Sequence, residues 1–221
     1  NLEEVYGIKL TVKSVRLLNQ IGFNKLKDNK KFNPDKINFY SVKSSNKICD
    51  LGISDFNSQD CKYTTLKRSD LVNFLKIDLG DLIKTNHNIS KIDQENQKIK
   101  LTFENNEVYE CDYLIISDGV FSKSKSLISN NQNQPRFNKM LAIRGTIPNS
   151  KKIDCKNISL FLGPDFHQVI YPMNPRGDLN FIAILKYDLS INEQKNNLLF
   201  SDDNFIKKIL DDTPLEMREF L

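Results

Sequence analysis

Histidine is nearly missing, cysteine is sparse and scattered, and no long apolar run exists; each shortage removes a class of function. The two histidines, His87 and His167, leave no basis for a histidine-rich metal site. The four cysteines, Cys49, Cys61, Cys111 and Cys155, stand far apart, with no pair at metal-ligand or redox spacing, which fits a reduced, cytoplasmic chain. No apolar stretch approaches the roughly 18 residues that cross a bilayer, so a soluble globular chain without a transmembrane segment is expected. Basic blocks are lacking too. The 32 Lys plus Arg and 28 Asp plus Glu give a net charge of +4 spread along the chain, so nucleic acid is not an expected partner. There is neither a signal peptide nor an initiating methionine. Asn1 opens a segment, NLEEVYGIKL, that reads as a continuation, and Leu221 falls inside an apparent helix. A piece of a longer protein is expected.

What is present suffices for a core. A chain of 221 residues, 39% of them apolar, can build one large domain or two small ones. From Thr11 to Gly22 the residues Val12, Val15, Leu18 and Ile21 recur at near-helical spacing, with Thr11 placed as the cap and Gly22 as the stop. Residues 32–65 are polar with short β-like runs such as INFYSV. A second helix is predicted from Ser69 or Asp70 through Leu71, Phe74 and Leu75, ending by Gly80. Strands follow at Ile89–Ile92 and Lys98–Phe103, then a turn at ENNE, Val108–Cys111, and a buried-looking run, YLII, at 113–116. After the polar segment SNNQNQPR come MLAIRGTI, ISLFL, HQVIYPM and LNFIAIL, and the last thirty residues return to helical periodicity. There is no internal repeat.

The strongest local signal is CDYLIISDGVFSKSK, residues 111–125. A short apolar strand delivers the chain to Ser117, Asp118 and Gly119, where the glycine lets a ligand approach the backbone and the carboxylate can accept hydrogen bonds from sugar-like hydroxyls. The plain alternative is that Asp-Gly is a turn. Elsewhere, Arg68 and Asp70 open the second helix, where an arginine suits an anion and an aspartate suits the first turn. On a strand through residues 167–172, His167 and Tyr171 share one face, either as site residues or as ordinary sheet residues with satisfied tips.

Taken together, the stretch 111–125 resembles the second FAD fingerprint of the class A flavoprotein hydroxylases, which include salicylate hydroxylase, 3-hydroxybenzoate 6-hydroxylase and the ubiquinone-biosynthesis hydroxylases. That pattern has a hydrophobic strand, two small residues with Asp-Gly, Ser three after the Gly, and a basic residue three further. Here Ser117, Asp118, Gly119, Ser122 and Lys125 hold those places, with Lys125 where arginine is usual, so the planar fork is lost. GIKLTVKSVRLLNQIGF, KRSDLVNFL and FLGPDFHQVIYPMNPRGDLNFIAILK align with the same family in the same order. Arg144 in LAIRGTIP matches an arginine common in that strand, without an assigned role. The family's Gly-rich dinucleotide turn and its Gly-Asp motif are absent, so only the centre of its fold is covered.

The resemblance implies an α/β fold, in which part of a Rossmann-like FAD-binding domain (1–31 and 60–134) is interleaved with a mostly antiparallel β-sheet substrate domain (32–59 and 135–190). Helices at 191–221 return toward the first. It further implies an FAD-dependent monooxygenase using NAD(P)H and O2, through a flavin hydroperoxide, to hydroxylate a phenolic or aromatic-acid substrate. Arg68, Asp118, Gly119, Ser122 and Lys125 would hold FAD; His167 would be the base, with Tyr171 and Pro172 also against the substrate. A polyprenyl-phenol hydroxylase with weak membrane association is one alternative. A truncated, non-catalytic binding fragment is another.

Overall fold

A computed structural model describes residues 6–95, 97–129, 135–147, 156–196 and 198–212. Residues 1–5 (NLEEV), 96, 130–134 (NNQNQ), 148–155 with Cys155, 197 and 213–221 lie outside them. The chain divides into two compact units, one made of residues 1–78 and 139–221 and the other of residues 79–138.

The first unit begins with strand β1 (Gly7–Leu10), which runs into helix α1 (Val12–Asn19). Thr11 is extended and its hydroxyl accepts the Ser14 N–H at 3.3 Å, which satisfies one of the donors a helix start leaves open. The predicted cap is in place. The helix stops at Asn19, however, so Ile21 leaves the helical phase and is 58% exposed, while Val15 alone is fully buried on α1. Strands β2 (Lys31–Phe32), β3 (Lys36–Ser41), β4 (Lys47–Gly52) and β5 (Thr64–Lys67) follow, and β5 passes directly into α2 (Arg68–Lys76). β1, β5 and β2 form an antiparallel sheet in that order. Leu10, Val15, Phe23, Cys61, Leu66 and Leu71 make its core, with Phe74 edge-on to Phe23. Burying such side chains contributes about 1.5–3 kcal/mol each.

The second unit holds β6 (Ile89–Glu95), β7 (Lys98–Phe103) and β8 (Val108–Cys111), an antiparallel meander, then α3 (Ser124–Ile128). The turn predicted at ENNE joins β7 to β8. The run YLII was expected to be a buried strand and is not one here. Residues 113–116 have no ladder partner among the described residues, and Tyr113 and Ile115 are each 89% exposed. A continuous apolar run is buried only where layers cover both its faces, and no described strand lies against this one.

Returning to the first unit, β9 (Met140–Ile147), β10 (Ile158–Gly163), β11 (Phe166–Pro172) and β12 (Leu179–Lys186) fall where strands were predicted. They join β3 and β4 in a six-stranded sheet of order β4-β3-β10-β11-β12-β9, antiparallel except where β10 lies parallel to β3. Register explains its burial. Phe166 pairs with Leu185 and Gln168 with Ala183 on one closed face, while His167 opposite Ile184 and Val169 opposite Ile182 lie half-buried on the other. Helices α4 (Ile191–Lys195), started by a Ser190–Glu193 capping box, and α5 (Asp203–Asp212), which buries Phe205 and Ile209, follow as expected. The protein is thus a mixed α/β fold with antiparallel sheets. Its compact units do not divide the chain where the expected FAD and substrate regions do, since residues 1–31 and 60–78 share a unit with the six-stranded sheet. No helix among the described residues is long and apolar enough to cross a membrane.

Candidate functional site

In the second unit, β8 ends at Cys111 and the chain runs without helix or strand to Asp118. Gly119 then has φ +84, a conformation that L side chains rarely adopt. A Cβ there would meet nothing within 4 Å, so the glycine is required by backbone conformation and leaves open space beside it. Past this turn, Ser122 N–H donates to the Gly119 carbonyl at 3.1 Å, Ser124 N–H to Asp118 Oδ2 at 3.2 Å, and Lys125 N–H to Ser122 Oγ at 3.0 Å. The Ser122 hydroxyl and, less strongly, the Ser124 N–H hold the Asp118 carboxyl below the usual carboxylate range against desolvation. Asp118 is therefore an anion at neutral pH. A cleft of about 540 Å3 is lined by Ser117, Asp118, Gly119, Ser122, Lys125 and Ile128 among others. Every residue expected to hold a cofactor in this stretch faces that one cleft. It offers an ionised acceptor, small hydroxyl groups, a bare backbone segment and an exposed ammonium.

In the first unit, β11 carries His167 in the half-open part of the six-stranded sheet, between Leu162 on β10 and Ile184 on β12. Leu160, Val169 and Ile182 continue the same face, so the imidazole stands in an apolar, partly open surface. Tyr171 shares that face, as expected, but lies ~13 Å further along the strand. It is 1% exposed and packed with Ile53, Ile158 and Met173. The ring sits so close over β1 that a Cβ on Gly7 would come within 2.8 Å of it. Burial, with a smaller contribution from Tyr63, pushes the Tyr171 phenol upward against the opposing charge of Arg144. Pro172 is fully buried and its carbonyl accepts the Thr65 hydroxyl at 2.5 Å. The structure therefore separates His167, at an open surface, from Tyr171 and Pro172, in the core.

Arg68 is exposed at the first residue of α2. Its N–H donates to the Tyr6 carbonyl at 2.9 Å, and its guanidinium lies 5.9 Å from the Tyr6 ring centre. Arg144, on β9, reaches the same ring at 5.3 Å. Sequence reasoning gave neither Tyr6 nor Arg144 a role, because a meeting of residues so far apart in the chain leaves no local pattern. Lys9 stands 5.4 Å over the Tyr171 ring, and desolvation lowers its pKa.

No protein-family model matches the chain, and no curated protein sequence does. Solved structures do. HpxO of Klebsiella pneumoniae, complexed with FAD and uric acid, superposes with a TM-score of 0.81 at 12% identity, over 99% of this chain and 56% of that one. The 2,6-dihydroxypyridine-3-hydroxylase of Arthrobacter nicotinovorans gives 0.68 at 14% identity, over 85% and 48% respectively. A salicylate hydroxylase substrate complex gives 0.66 at 17% identity, over 85% and 50%. The chain spans about half the length of these structures, and its fold is the one seen in FAD-dependent aromatic hydroxylases.

Proposed function

We propose that this chain is the central part of an FAD-dependent monooxygenase that uses NAD(P)H and O2 to hydroxylate a phenolic or aromatic-acid ring. The observation that carries this reading is the gathering of Ser117, Asp118, Gly119, Ser122 and Lys125 on one cleft, in a fold shared with a structure that holds FAD. The cleft's chemistry fits that cofactor. An ionised Asp118 can accept hydrogen bonds from ribose or ribityl hydroxyls, and the open side of Gly119 admits a flat or phosphate-bearing group against the backbone. Lys125 and Arg68 supply positive charge for phosphate oxygens. Bound FAD would supply the oxygen-activating redox chemistry, after reduction by the nicotinamide cofactor.

The protein's own contribution to the reaction is orientation, water exclusion and proton handling. Leu160, Leu162, Val169 and Ile184 give an aromatic ring an apolar bed. His167, standing in that bed, takes the phenolic proton at its ring nitrogen, which raises electron density in the ring to be oxidised. Tyr171, from within the core, holds β11 in register beneath it. In this reading residues 1–31 and 60–134 serve the cofactor and residues 32–59 and 135–190 the substrate.

The test is direct. The protein carrying this chain, supplied with FAD, NAD(P)H, O2 and a panel of hydroxybenzoates, is expected to bind flavin and release a ring-hydroxylated product in step with NAD(P)H consumption. A folded protein that neither binds flavin nor forms any hydroxylated product would overturn the proposal.

A further inference from the structure

The end of α2 remote from Arg68 contributes to a second cleft, one that the reading above leaves unused. Ile77 closes the helix, its N–H donating to the Phe74 carbonyl at 3.2 Å, and both residues line a cavity of about 420 Å3. The rest of the lining comes from the turn that follows α1. Gly22, with φ +90, swings the chain out of the helical path, and the Lys25 N–H donates to its carbonyl at 2.9 Å, which brings Ile21 and Leu26 to the same cavity. Leu26 and Phe74 also pack on the core of the unit and so give the cleft a fixed apolar floor, whereas Ile21 and Ile77 are 58% and 70% exposed. Three lysines, Lys25, Lys27 and Lys30, share the lining. Lys30 is held by Asp70 at 2.9 Å, but Lys25 and Lys27 pair with no carboxylate among the described residues. Asp78 is the one carboxylate among the described lining residues, so cations outnumber anions there.

We propose that this cleft binds an amphipathic anion, a carboxylate on an unbranched alkyl chain. Its volume lies within the ~300–1,000 Å3 typical of small-molecule sites. Covering Ile21 and Ile77 takes apolar surface out of water, which favours an alkyl tail. The lysine stems can lie along that tail while their ammonium groups stay in water beside the head, and a compact ammonium suits a single carboxylate. A neutral ligand would leave Lys25 and Lys27 unmatched, and a cationic one would meet charges of its own sign. Because Leu26 and Phe74 lie in a recess rather than on a protruding face, a single chain fits them better than a bilayer surface does. Neither flavin nor an aromatic ring enters this chemistry, so the site stands or falls apart from the hydroxylase reading.

The protein carrying this chain is titrated by calorimetry at constant ionic strength with octanoate, decanoate and dodecanoate, each below its micelle concentration, and with decyltrimethylammonium. One decanoate per chain is expected, with affinity rising about fourfold for each added methylene, the effect of one more buried CH2. The cationic probe is expected to bind about tenfold less tightly. The double variant Lys25→Gln/Lys27→Gln should lose about tenfold in decanoate affinity and Ile77→Asn a similar factor, while Lys13→Gln, exposed on α1 and outside the cleft, should lose none. The proposal is overturned if the folded wild type binds no decanoate, if the lysine and Ile77 variants bind it as the wild type does, or if decyltrimethylammonium binds equally well. Cosedimentation with phosphatidylserine vesicles without any binding of decanoate would also overturn it, in favour of a membrane surface.

Discussion

Asp118 has two partners for one carboxylate: it caps the start of α3 through the Ser124 N–H while remaining an ionised acceptor at the cleft. Asp118→Ala is therefore expected to weaken FAD binding about tenfold, the consequence of a lost charge-assisted bond. Asp118→Asn keeps an acceptor for Ser124 and separates capping from charge; equal flavin affinity in wild type and both variants, read by equilibrium dialysis, would reduce Asp118 to a turn residue. At His167, substitution by alanine should lower hydroxylation about 10²-fold. NAD(P)H oxidation should continue with hydrogen peroxide released in place of product, and full coupling at a normal rate would remove His167 from the chemistry. Gly7→Ala tests the core. Its new methyl would meet Tyr171 at 2.8 Å, Asn180 at 2.9 Å and Met173 at 3.0 Å, so a loss of about 1–3 kcal/mol in denaturant unfolding is expected. The contrast between Asp118 and Tyr171 shows what was legible. The turn at Asp118–Gly119 is written in consecutive residues and was readable. The burial of Tyr171 depends on β1 crossing beneath it from more than a hundred and fifty residues earlier, and no local pattern records that.

Elements were legible where their signals were local. Thr11 and Ser190 cap their helices, and the β9 to β12 strands follow alternation that the sheet register repeats. Residues 113–116 fail the same test because hydrophobicity states a preference for cover without supplying it. In the second unit the loop before β6 is tied to the β7–β8 hairpin by His87. When the ring is protonated, its Nδ1–H donates to the Thr85 carbonyl at 2.6 Å and its Nε2–H to Glu107 at 3.2 Å, and Tyr109 donates to the same carboxylate. The Thr85 bond and then Glu107 raise the His87 pKa, against desolvation and, less strongly, Lys84, while His87 and Tyr109 lower that of Glu107. The raised histidine contributes stability that is whole below its ordinary value of 6.5 and is lost as pH rises through its folded value. The lowered glutamate contributes stability that is whole above 4.5 and is lost as pH falls through its folded value. The tie is thus firmest between pH 4.5 and 6.5, where both contributions are whole. In an NMR titration Glu107→Gln is expected to bring the His87 midpoint down toward 6.5; an unmoved midpoint would assign the whole shift to Thr85.

Across the molecule, protection against hydrogen exchange should follow the ladders. Amides within β11 and β12, paired on both sides, are expected to exchange slowest, and those of residues 113–117, with no ladder partner among the described residues, fastest. Equal protection of both segments would contradict this topology. The parallel pairing of β3 with β10 aligns Ile37 with Ile158, and the entire second unit is inserted between them. During synthesis, β3 and β4 therefore emerge long before the strand that sits beside β3 exists, whereas the meander β6-β7-β8 needs only its near neighbours. Closing so distant a pair is entropically slow, and hairpins form in microseconds. The inserted unit should thus fold on the ribosome while the larger sheet still waits, and β3, with its apolar Ile37 and Phe39, spends that interval as an unpaired edge that other chains or chaperones can capture.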